Sequence, residues 1–163
     1  MKIGIEAQRI FRKKKHGMDM VALELIRHLQ QIDHDNLYYR FVKPDEADQV
    51  LQETPNFKIV KLEGGGYPTW EQISLPRAAK KYGCDILHCT SNTAPVFSSV
   101  PIMITLHDII YMENSVRKIM KGSGSRYQKF GNLYRRMIVP KVLRRSKKVI
   151  TVSDFEKDRI NRF

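Results

Sequence analysis

Residues 84–108 read CDILHCTSNTAPVFSSVPIMITLHD and contain two short apolar runs separated by a polar loop. The runs at 84–89 and 102–106 carry almost no charge, which is typical of strands covered on both faces in a parallel sheet. The intervening residues, 90–101, are rich in Ser, Thr, Asn and Pro and predict a loop. This stretch therefore indicates two strands of a covered sheet.

Strands and helices alternate along the rest of the chain. Further strands are predicted at residues 2–6, 37–43, 57–62 and 148–152. Helices are predicted from Gly17, over residues 70–82 with Thr69 as the cap, over residues 127–143 and after Ser153, with a short acidic helix or turn at 45–51. Pro140 is expected to kink or divide the helix over 127–143. The alternation predicts an α/β fold, a Rossmann-like three-layer α/β/α sandwich with a mainly parallel sheet of about six strands.

The composition is that of one folded domain. The chain has 163 residues, of which 42% are apolar and 28% charged, which is too apolar for a disordered chain. No apolar run reaches the roughly 18 residues that a membrane-spanning helix needs, and the N-terminus lacks the pattern of a signal peptide. Cys84 and Cys89 are too few for a disulfide framework. These features predict a cytoplasmic protein.

Positive charge is concentrated in one segment. Lys and Arg outnumber Asp and Glu by 29 to 17, a net charge of +12, and residues 114–153 hold twelve bases and no acid. A second basic cluster, at Arg9 and residues 12–15, follows the first strand. Segregated charge indicates an anionic partner, which could be nucleic acid, a membrane surface or a phosphorylated small molecule. A solvated face that only aids solubility is the alternative.

The residues that follow the strands are the candidates for chemistry, because ligands of open parallel sheets bind beyond the carboxyl ends of the strands. They are Arg9 and Gly17 after the first strand, Ser91 and Asn92 after the fourth, His107 and Asp108 after the fifth, and Ser153 after the sixth. The simplest role of Ser153 is a helix cap, with Glu156 completing a capping box.

The other candidates have both a functional and a structural interpretation. Gly17 at a helix start lets a ligand approach free backbone N–H groups, which suits phosphate or a sugar hydroxyl, or it simply forms the helix-entry turn. His107 can transfer a proton or polarise a phosphate, although a lone histidine is usually structural. Ser91 and Asn92 suit hydroxyl recognition or a plain turn.

Several enzyme classes lack their motifs in this sequence. There is no G-x-G-x-x-G for a nicotinamide cofactor, no G-x-x-x-x-G-K-[ST] for a P-loop and no G-x-S-x-G for a serine hydrolase. Neither C-x-x-C nor H-E-x-x-H occurs, so His88, Cys89 and His107 are weak metal candidates and no metal site is expected. No pair of carboxylates with a common site stands out, which argues against a glycosidase.

Four segments, in order, resemble family-4 glycosyltransferases, the group 1 enzymes of the GT-B fold. Residues 1–29, MKIGIEAQRIFRKKKHGMDMVALELIRHL, resemble the family's first strand, A-x-R turn, glycine and amphipathic helix. Residues 84–95, CDILHCTSNTAP, resemble its D-[IV]-x-H strand and loop, and residues 101–111, PIMITLHDIIY, its T-x-H-D segment. Residues 149–160, VITVSDFEKDRI, resemble the VITVSEFSxxDI segment that closes the family's N-terminal domain.

The resemblance implies a retaining transfer of a sugar from a nucleotide-sugar to a glycan or lipid-linked acceptor. It implies two Rossmann-like domains facing a cleft, no obligatory metal, and an N-terminal domain that chiefly binds the acceptor. Gly17, preceded by His16, matches the family glycine beside the donor phosphates and the transferred sugar. His107 matches the histidine that contacts that sugar, and Asp108 is expected to fix the loop. The donor is expected to carry UDP or GDP, which the sequence does not distinguish, and no other cofactor is expected.

The chain is expected to be the N-terminal, acceptor-side domain only. The family's E-x7-E motif and nucleotide-sugar site belong to a second domain, and this sequence stops at Phe163 within the helix that follows Ser153. Residues 1–163 are therefore expected to be inactive without their own C-terminal donor domain. Lipid-linked acceptors also suggest a peripheral position on the inner face of the membrane, docked through the bases of residues 118–148.

The apolar residues of this basic segment are expected to form a helical stripe that packs into the core, with the bases on the other face. The stripe comprises Tyr127, Phe130, Tyr134, Met137, Ile138 and Val142.

Two other hypotheses for the function remain open. One is a basic α/β nucleic-acid-binding module without catalysis, although no RRM, KH or helix-turn-helix pattern is visible and nucleic acid is not the expected partner. The other is a stand-alone α/β binding domain.

Overall fold

The computed structural model of the protein describes residues 1–8, 10, 16–43, 52–113 and 125–162. Arg9, the basic residues 12–15 and the acidic turn predicted at 45–51 lie outside these ranges, so those predictions stay predictions. The same holds for Lys118 and Lys121 of the basic segment and for the side chain of Tyr127.

A six-stranded parallel sheet forms the centre of the molecule. Its strands are β1 Lys2–Glu6, β2 Leu37–Val42, β3 Phe57–Lys61, β4 Ile86–Cys89, β5 Ile102–Leu106 and β6 Lys148–Thr151. They lie in the order β3-β2-β1-β4-β5-β6, and every neighbouring pair is parallel. The predicted α/β fold with about six strands is thereby confirmed.

Helices connect the strands. They are α1 Gly17–Ile32, α2 Tyr67–Thr69, a π-helical turn at Trp70–Ser74, α3 Leu75–Lys81, α4 Ile110–Glu113, α5 Arg126–Arg145 and α6 Asp154–Asn161. The helix predicted to begin after Thr69 already begins at Tyr67, so the predicted Thr69 cap is wrong, and its side chain makes no capping hydrogen bond. The wider π-helical turn leads directly into Pro76 at the start of α3. Because proline has no N–H, it is accommodated best where regular α-helical bonding is interrupted.

The helices pack on both faces of the sheet. On one face, Leu23 of α1 lies in a buried cluster with Ile5 of β1. On the other face, Trp70 of the π-helical turn and Val142 of α5 share a buried cluster with Ile104 of β5. This three-layer arrangement leaves the loops at the carboxyl ends of the strands between the two helical layers, which is where open parallel sheets bind ligands.

The longest described helix, α5, runs without a break through Pro140, so the predicted division of this helix is wrong. Val139 and Val142, on either side of the proline, are each 1% exposed. Their burial against the sheet side of the molecule holds both halves of the helix in place, and this packing offsets the hydrogen bond that the proline removes.

The apolar stripe predicted on α5 is only partly correct. Val142 belongs to the core, but Phe130 is 56% exposed and Met137 is 57% exposed. At about 100° per residue these two side chains share one face of the helix, which points away from Val139 and Val142. No helix in the described part of the chain is long and apolar enough to cross a bilayer.

Candidate functional site

The carboxyl ends of β1, β4 and β5 lie side by side, because β4 is hydrogen-bonded to β1 on one side and to β5 on the other. The chain order of the strands reverses between β1 and β4, and ligands of open α/β sheets bind in the crevice at such a point. Glu6 ends β1, Thr90 follows β4 and His107 follows β5. These three residues define the centre of the candidate site.

His107 is held by two hydrogen bonds to the loop that follows β4. Its backbone N–H donates to Oδ1 of Asn92 at 2.6 Å, and its Nε2 lies 2.9 Å from the carbonyl oxygen of Thr90. Because a carbonyl oxygen only accepts, Nε2 must carry the ring proton. The neutral ring therefore keeps Nδ1 as a hydrogen-bond acceptor. The side chain is 9% exposed, so its orientation is fixed by the protein.

Asn92 has a structural task in the loop after β4, in agreement with the turn interpretation of this residue. Its backbone adopts the left-handed conformation with φ +64°, which asparagine tolerates better than most residues. This conformation accompanies the bond from Asn92 Oδ1 to the His107 N–H. The oxygen that was predicted to recognise a ligand hydroxyl is thus bound to the protein. Ser91, the other candidate in this loop, is buried at 4% exposure.

Asp108 fixes the loop after β5 and does not orient the His107 ring. Its Oδ1 accepts the backbone N–H of Ile110 at 3.2 Å, at the start of α4. The ring of His107 is oriented by Thr90 instead. Asp108 therefore occupies the position of a loop-fixing neighbour, as the sequence predicts for it.

Glu6 is a fully buried carboxylate at the centre of this site, with 0% exposure. The hydroxyl of Thr90 donates to the carbonyl oxygen of Glu6 at 2.8 Å, and the backbone N–H groups of Gln8 and Thr90 donate to its carboxylate at 3.2 and 3.3 Å. No sequence motif singles out Glu6. The one available signal is an acidic residue at the end of a buried strand, where a charge needs local donors.

Glu71, on the π-helical turn, is a second carboxylate with 0% exposure. It accepts hydrogen bonds from the hydroxyls of Tyr67, Thr93 and Tyr134 and from the amide of Gln72. Burial raises the pKa of Glu71 because it penalises the charged form, while these donors oppose that effect.

The charge of Glu6 adds to this rise in the pKa of Glu71. The expectation that no pair of carboxylates forms a common site stays a prediction.

The sequence predicts a ligand at the start of α1. The carboxylate of Asp19 accepts the backbone N–H of His16 at 2.9 Å, which anchors the first turn. Among the described residues, no atom lies within 4 Å of a Cβ placed on Gly17. The packing of these residues therefore does not require glycine at this position.

Ser153 caps α6, as predicted, by accepting the backbone N–H of Glu156 at 3.2 Å. The side chain of Glu156 pairs with Arg159, so the reciprocal bond of the predicted capping box is replaced. Ser153 also lines a groove of about 810 Å³ beside β6, whose walls mix apolar residues such as Leu143 and Val149 with charged ones such as Arg144 and Asp154. This groove lies beside β6, one strand away from the candidate site at the ends of β1, β4 and β5. Neither Thr90 nor Asn92, which bind His107, lines it.

The weak metal candidates next to the site belong to the core. Nε2 of His88 lies 2.8 Å from the hydroxyl of Thr105, and burial lowers the pKa of His88 to about 4. Burial also raises the pKa of the Cys89 thiol well above its usual range. Within the described ranges, no three His, Cys, Asp or Glu residues are placed to share a metal ion.

A family model described as Glycosyltransferase Family 4 matches residues 16–163. No curated protein matches the sequence. The match covers nearly the whole chain, from the start of α1 onward, and includes the segments that follow β4, β5 and β6. Glu6 and residues 7–15 precede it. It does not favour the alternative of a nucleic-acid-binding module.

Proposed function

The chain belongs to glycosyltransferase family 4, and from that premise we propose that it is the acceptor-side domain of a retaining glycosyltransferase. The enzyme would transfer a sugar from a UDP- or GDP-linked donor to a glycan or lipid-linked acceptor. The observation that carries this proposal is the fixed imidazole of His107 at the junction of three strand ends. A side chain held in one orientation before the substrate arrives costs no ordering at the moment of reaction.

His107 would contact the transferred sugar through Nδ1. That nitrogen is the acceptor of the neutral ring, because Nε2 donates to Thr90. An acceptor of this kind can bind one sugar hydroxyl and orient the ring of the sugar while the bond between its anomeric carbon and the diphosphate oxygen breaks. The acceptor oxygen then bonds to the anomeric carbon on the same face of the sugar, and its proton passes to the departing diphosphate. Reaction on that face preserves the anomeric configuration.

His16 and Gly17 would contact the donor from the start of α1. A ligand here would reach the backbone N–H groups of the first helical turn, since no described residue packs within 4 Å of a Cβ at Gly17. The buried Asp19 places a negative charge in that turn, which weakens the attraction for phosphate. A hydroxyl of the transferred sugar therefore suits this position better than the diphosphate does. Arg9 and Ser91 stay candidates for contacts with the substrates.

The charge that develops on the departing diphosphate requires compensation. The proposed enzyme obtains it largely from a second, nucleotide-binding domain, as the family resemblance implies. On this proposal residues 1–163 bind acceptor but do not transfer sugar by themselves, because half of the positioning and electrostatic groups belong to that domain.

The outer face of α5 would dock on an anionic membrane. Phe130 and Met137 project from this face together with Lys141 and Arg144, and all four side chains are exposed. Exposed apolar side chains among bases suit the boundary between lipid head groups and acyl chains. A peripheral position on the inner face of the membrane would bring the site to a lipid-linked acceptor.

A product analysis with the full-length protein tests the proposed reaction. UDP- and GDP-linked sugars are supplied in turn, with glycan and lipid-linked acceptors, and the anomeric configuration of the product is determined by NMR. We expect one donor to be consumed and its configuration to be kept in the product. Inversion, or consumption of none of the donors with any acceptor, would count against the proposal.

A further inference from the structure

The loop after β4 is buried over seven consecutive residues. Every residue from 90 to 96 is buried, whereas connecting loops normally lie at the surface because their polar groups need partners. This loop supplies both groups that bind His107, the Thr90 carbonyl and the Asn92 side chain. Whatever fixes the loop therefore also fixes His107.

The side chain of Gln72 holds the second half of this loop through two hydrogen bonds to its backbone, as the backbone of a neighbouring strand would. Its Oε1 accepts the backbone N–H of Val96 at 2.9 Å, and its Nε2 donates to the backbone carbonyl of Ala94 at 3.1 Å. One side-chain amide thus satisfies a donor and an acceptor of the buried backbone. The same Nε2 lies 2.8 Å from the hydroxyl oxygen of Tyr134 on α5.

Glu71 fixes the middle of the loop. The hydroxyl of Thr93 donates to Oε1 of Glu71, which also accepts from Tyr67 at 2.7 Å. Oε2 accepts from Tyr134 and, at 2.9 Å, from Gln72. A buried carboxylate is tolerated only when donors surround it, and here those donors come from the helix before β4, the loop after β4 and α5.

We propose that Glu71 and Gln72 are positioning residues for His107. Through Thr93, Ala94 and Val96 they hold the buried loop in the shape in which Thr90 and Asn92 bind the histidine. Neither residue touches His107. The inference rests on the proposed function only where it concerns sugar transfer, because the placement of His107 can be measured without any substrate.

The link between Glu71 and the loop is cut most selectively by Thr93→Val. Valine keeps the shape of threonine and removes only the hydroxyl that binds Glu71. Thr93→Ser restores a hydroxyl and is the rescue variant. Thr54→Val is the matched control, because its hydroxyl donates to Oδ1 of Asn56 at 3.1 Å, outside this network.

Amide hydrogen exchange and imidazole NMR on the 163-residue chain provide the readout. In Thr93→Val we expect the His107 amide to exchange about tenfold faster, which corresponds to the loss of one hydrogen bond. Exchange of the β2 amides should change only by as much as the free energy of global unfolding changes. The imidazole should pass from the single Nε2-protonated form to a mixture of tautomers. Thr93→Ser should restore both observations, and Thr54→Val should change neither.

Unchanged exchange and tautomer of His107 in a folded Thr93→Val protein would overturn the inference. If that variant does not fold, Gln72→Met is used. It should speed exchange at the amides of both Val96 and His107, and an effect at Val96 alone would overturn the inference. In the full-length enzyme Thr93→Val should lower turnover about tenfold and Thr93→Ser should restore it. A fully active His107→Gln enzyme would instead contradict the proposed function and leave the exchange result intact.

Discussion

Nε2 of His107 lies 2.9 Å from the carbonyl oxygen of Thr90, whose hydroxyl donates to the carbonyl oxygen of Glu6 at 2.8 Å. One threonine therefore joins the carboxyl ends of β1, β4 and β5. The position of His107 is set by the sheet through this residue, and a rigid sheet is a better support for a binding side chain than a solvated loop.

Two substitutions of His107 distinguish its hydrogen bond to the Thr90 carbonyl from its proposed contact with the substrate. His107→Ala leaves the buried Thr90 carbonyl without its donor and should lower the free energy of unfolding by about 1–3 kcal/mol. His107→Gln can still donate an amide N–H to that oxygen and should stay within about 1 kcal/mol of the wild type. Urea unfolding of the three proteins measures the difference. Equal stability of the two variants would show that the bond to Thr90 is unimportant.

Substitution by alanine should destabilise the protein at Gly4 but not at Gly17. A Cβ on Gly4 would lie 2.8 Å from Cε2 of Phe41 and 3.1 Å from Cδ1 of Leu87, so Gly4→Ala should cost about 1–3 kcal/mol of stability through overpacking. A Cβ on Gly17 meets no atom of the described residues within 4 Å. Gly17→Ala should therefore leave the free energy of unfolding within about 1 kcal/mol of the wild type.

The same Gly17→Ala variant tests the donor contact. Because the added methyl group occupies the space proposed for the transferred sugar, turnover by the full-length enzyme should fall at least about tenfold. Steady-state kinetics with the preferred nucleotide-sugar provide the measurement. Wild-type kcat and KM in Gly17→Ala would remove Gly17 from the proposed site.

His88 should make the protein less stable in mild acid. Burial lowers its pKa to about 4 in the folded chain, whereas the unfolded chain binds a proton near pH 6.5. Between these values the unfolded state holds more protons, so stability is full above about pH 6.5 and falls by about 1.4 kcal/mol per pH unit as the pH drops toward 4.

His88→Gln removes this titration and should flatten that part of the stability profile. The matched control is His28→Gln, because His28 is exposed on α1, and it should leave the profile unchanged. Urea unfolding at pH 7 and pH 5 is sufficient. If His88→Gln loses as much stability as the wild type between these pH values, the buried histidine is not the cause.

The outer face of α5 should govern vesicle binding. Phe130→Ser with Met137→Ser removes two exposed apolar side chains, and each would contribute up to about 1.5–3 kcal/mol if buried in the interface. We expect partition onto phosphatidylglycerol vesicles to fall at least about tenfold in this double variant. Phe155→Ser is the control, because Phe155 is a similarly exposed phenylalanine on α6, 68% exposed.

Binding to vesicles and to an oligonucleotide, compared at two salt concentrations, identifies the anionic partner of this face. Each base near an anionic surface contributes about 1 kcal/mol at most, and salt screens that contribution. Wild-type protein should bind the vesicles more strongly than a single- or double-stranded oligonucleotide at both low and physiological salt. Stronger binding to the oligonucleotide would favour the nucleic-acid alternative and contradict the membrane proposal.

The strands were predictable because burial on both faces leaves a simple pattern. β1 and β5 have the predicted bounds, since each apolar run ends at a polar residue where the strand also ends. The stripe on α5 was not predictable in the same way. Phe130 and Val142 are both apolar residues of one helix, and only the position of the helix against the sheet decides that Val142 is buried and Phe130 is not.

The position of the candidate residues was predictable where it follows directly from the ends of the strands. His107 and Asp108 follow β5, Ser91 and Asn92 follow β4, and the structure places them at the carboxyl edge of the sheet. Glu71 was not predictable, because its partners Thr93 and Tyr134 are brought together by tertiary packing from 22 and 63 positions away. Buried polar networks of this kind depend on several elements at once and leave no periodic pattern in the sequence.

Turnover by the full-length protein carrying His107→Gln tests the central claim most directly. The Gln variant keeps the bond to Thr90 and should remain folded, so a loss of activity reports on the contact with the sugar. We expect donor consumption to fall at least about tenfold relative to the wild type, with the Thr54→Val control unchanged. Turnover of His107→Gln within a factor of about two of the wild type would contradict the assignment of His107 to the transfer site.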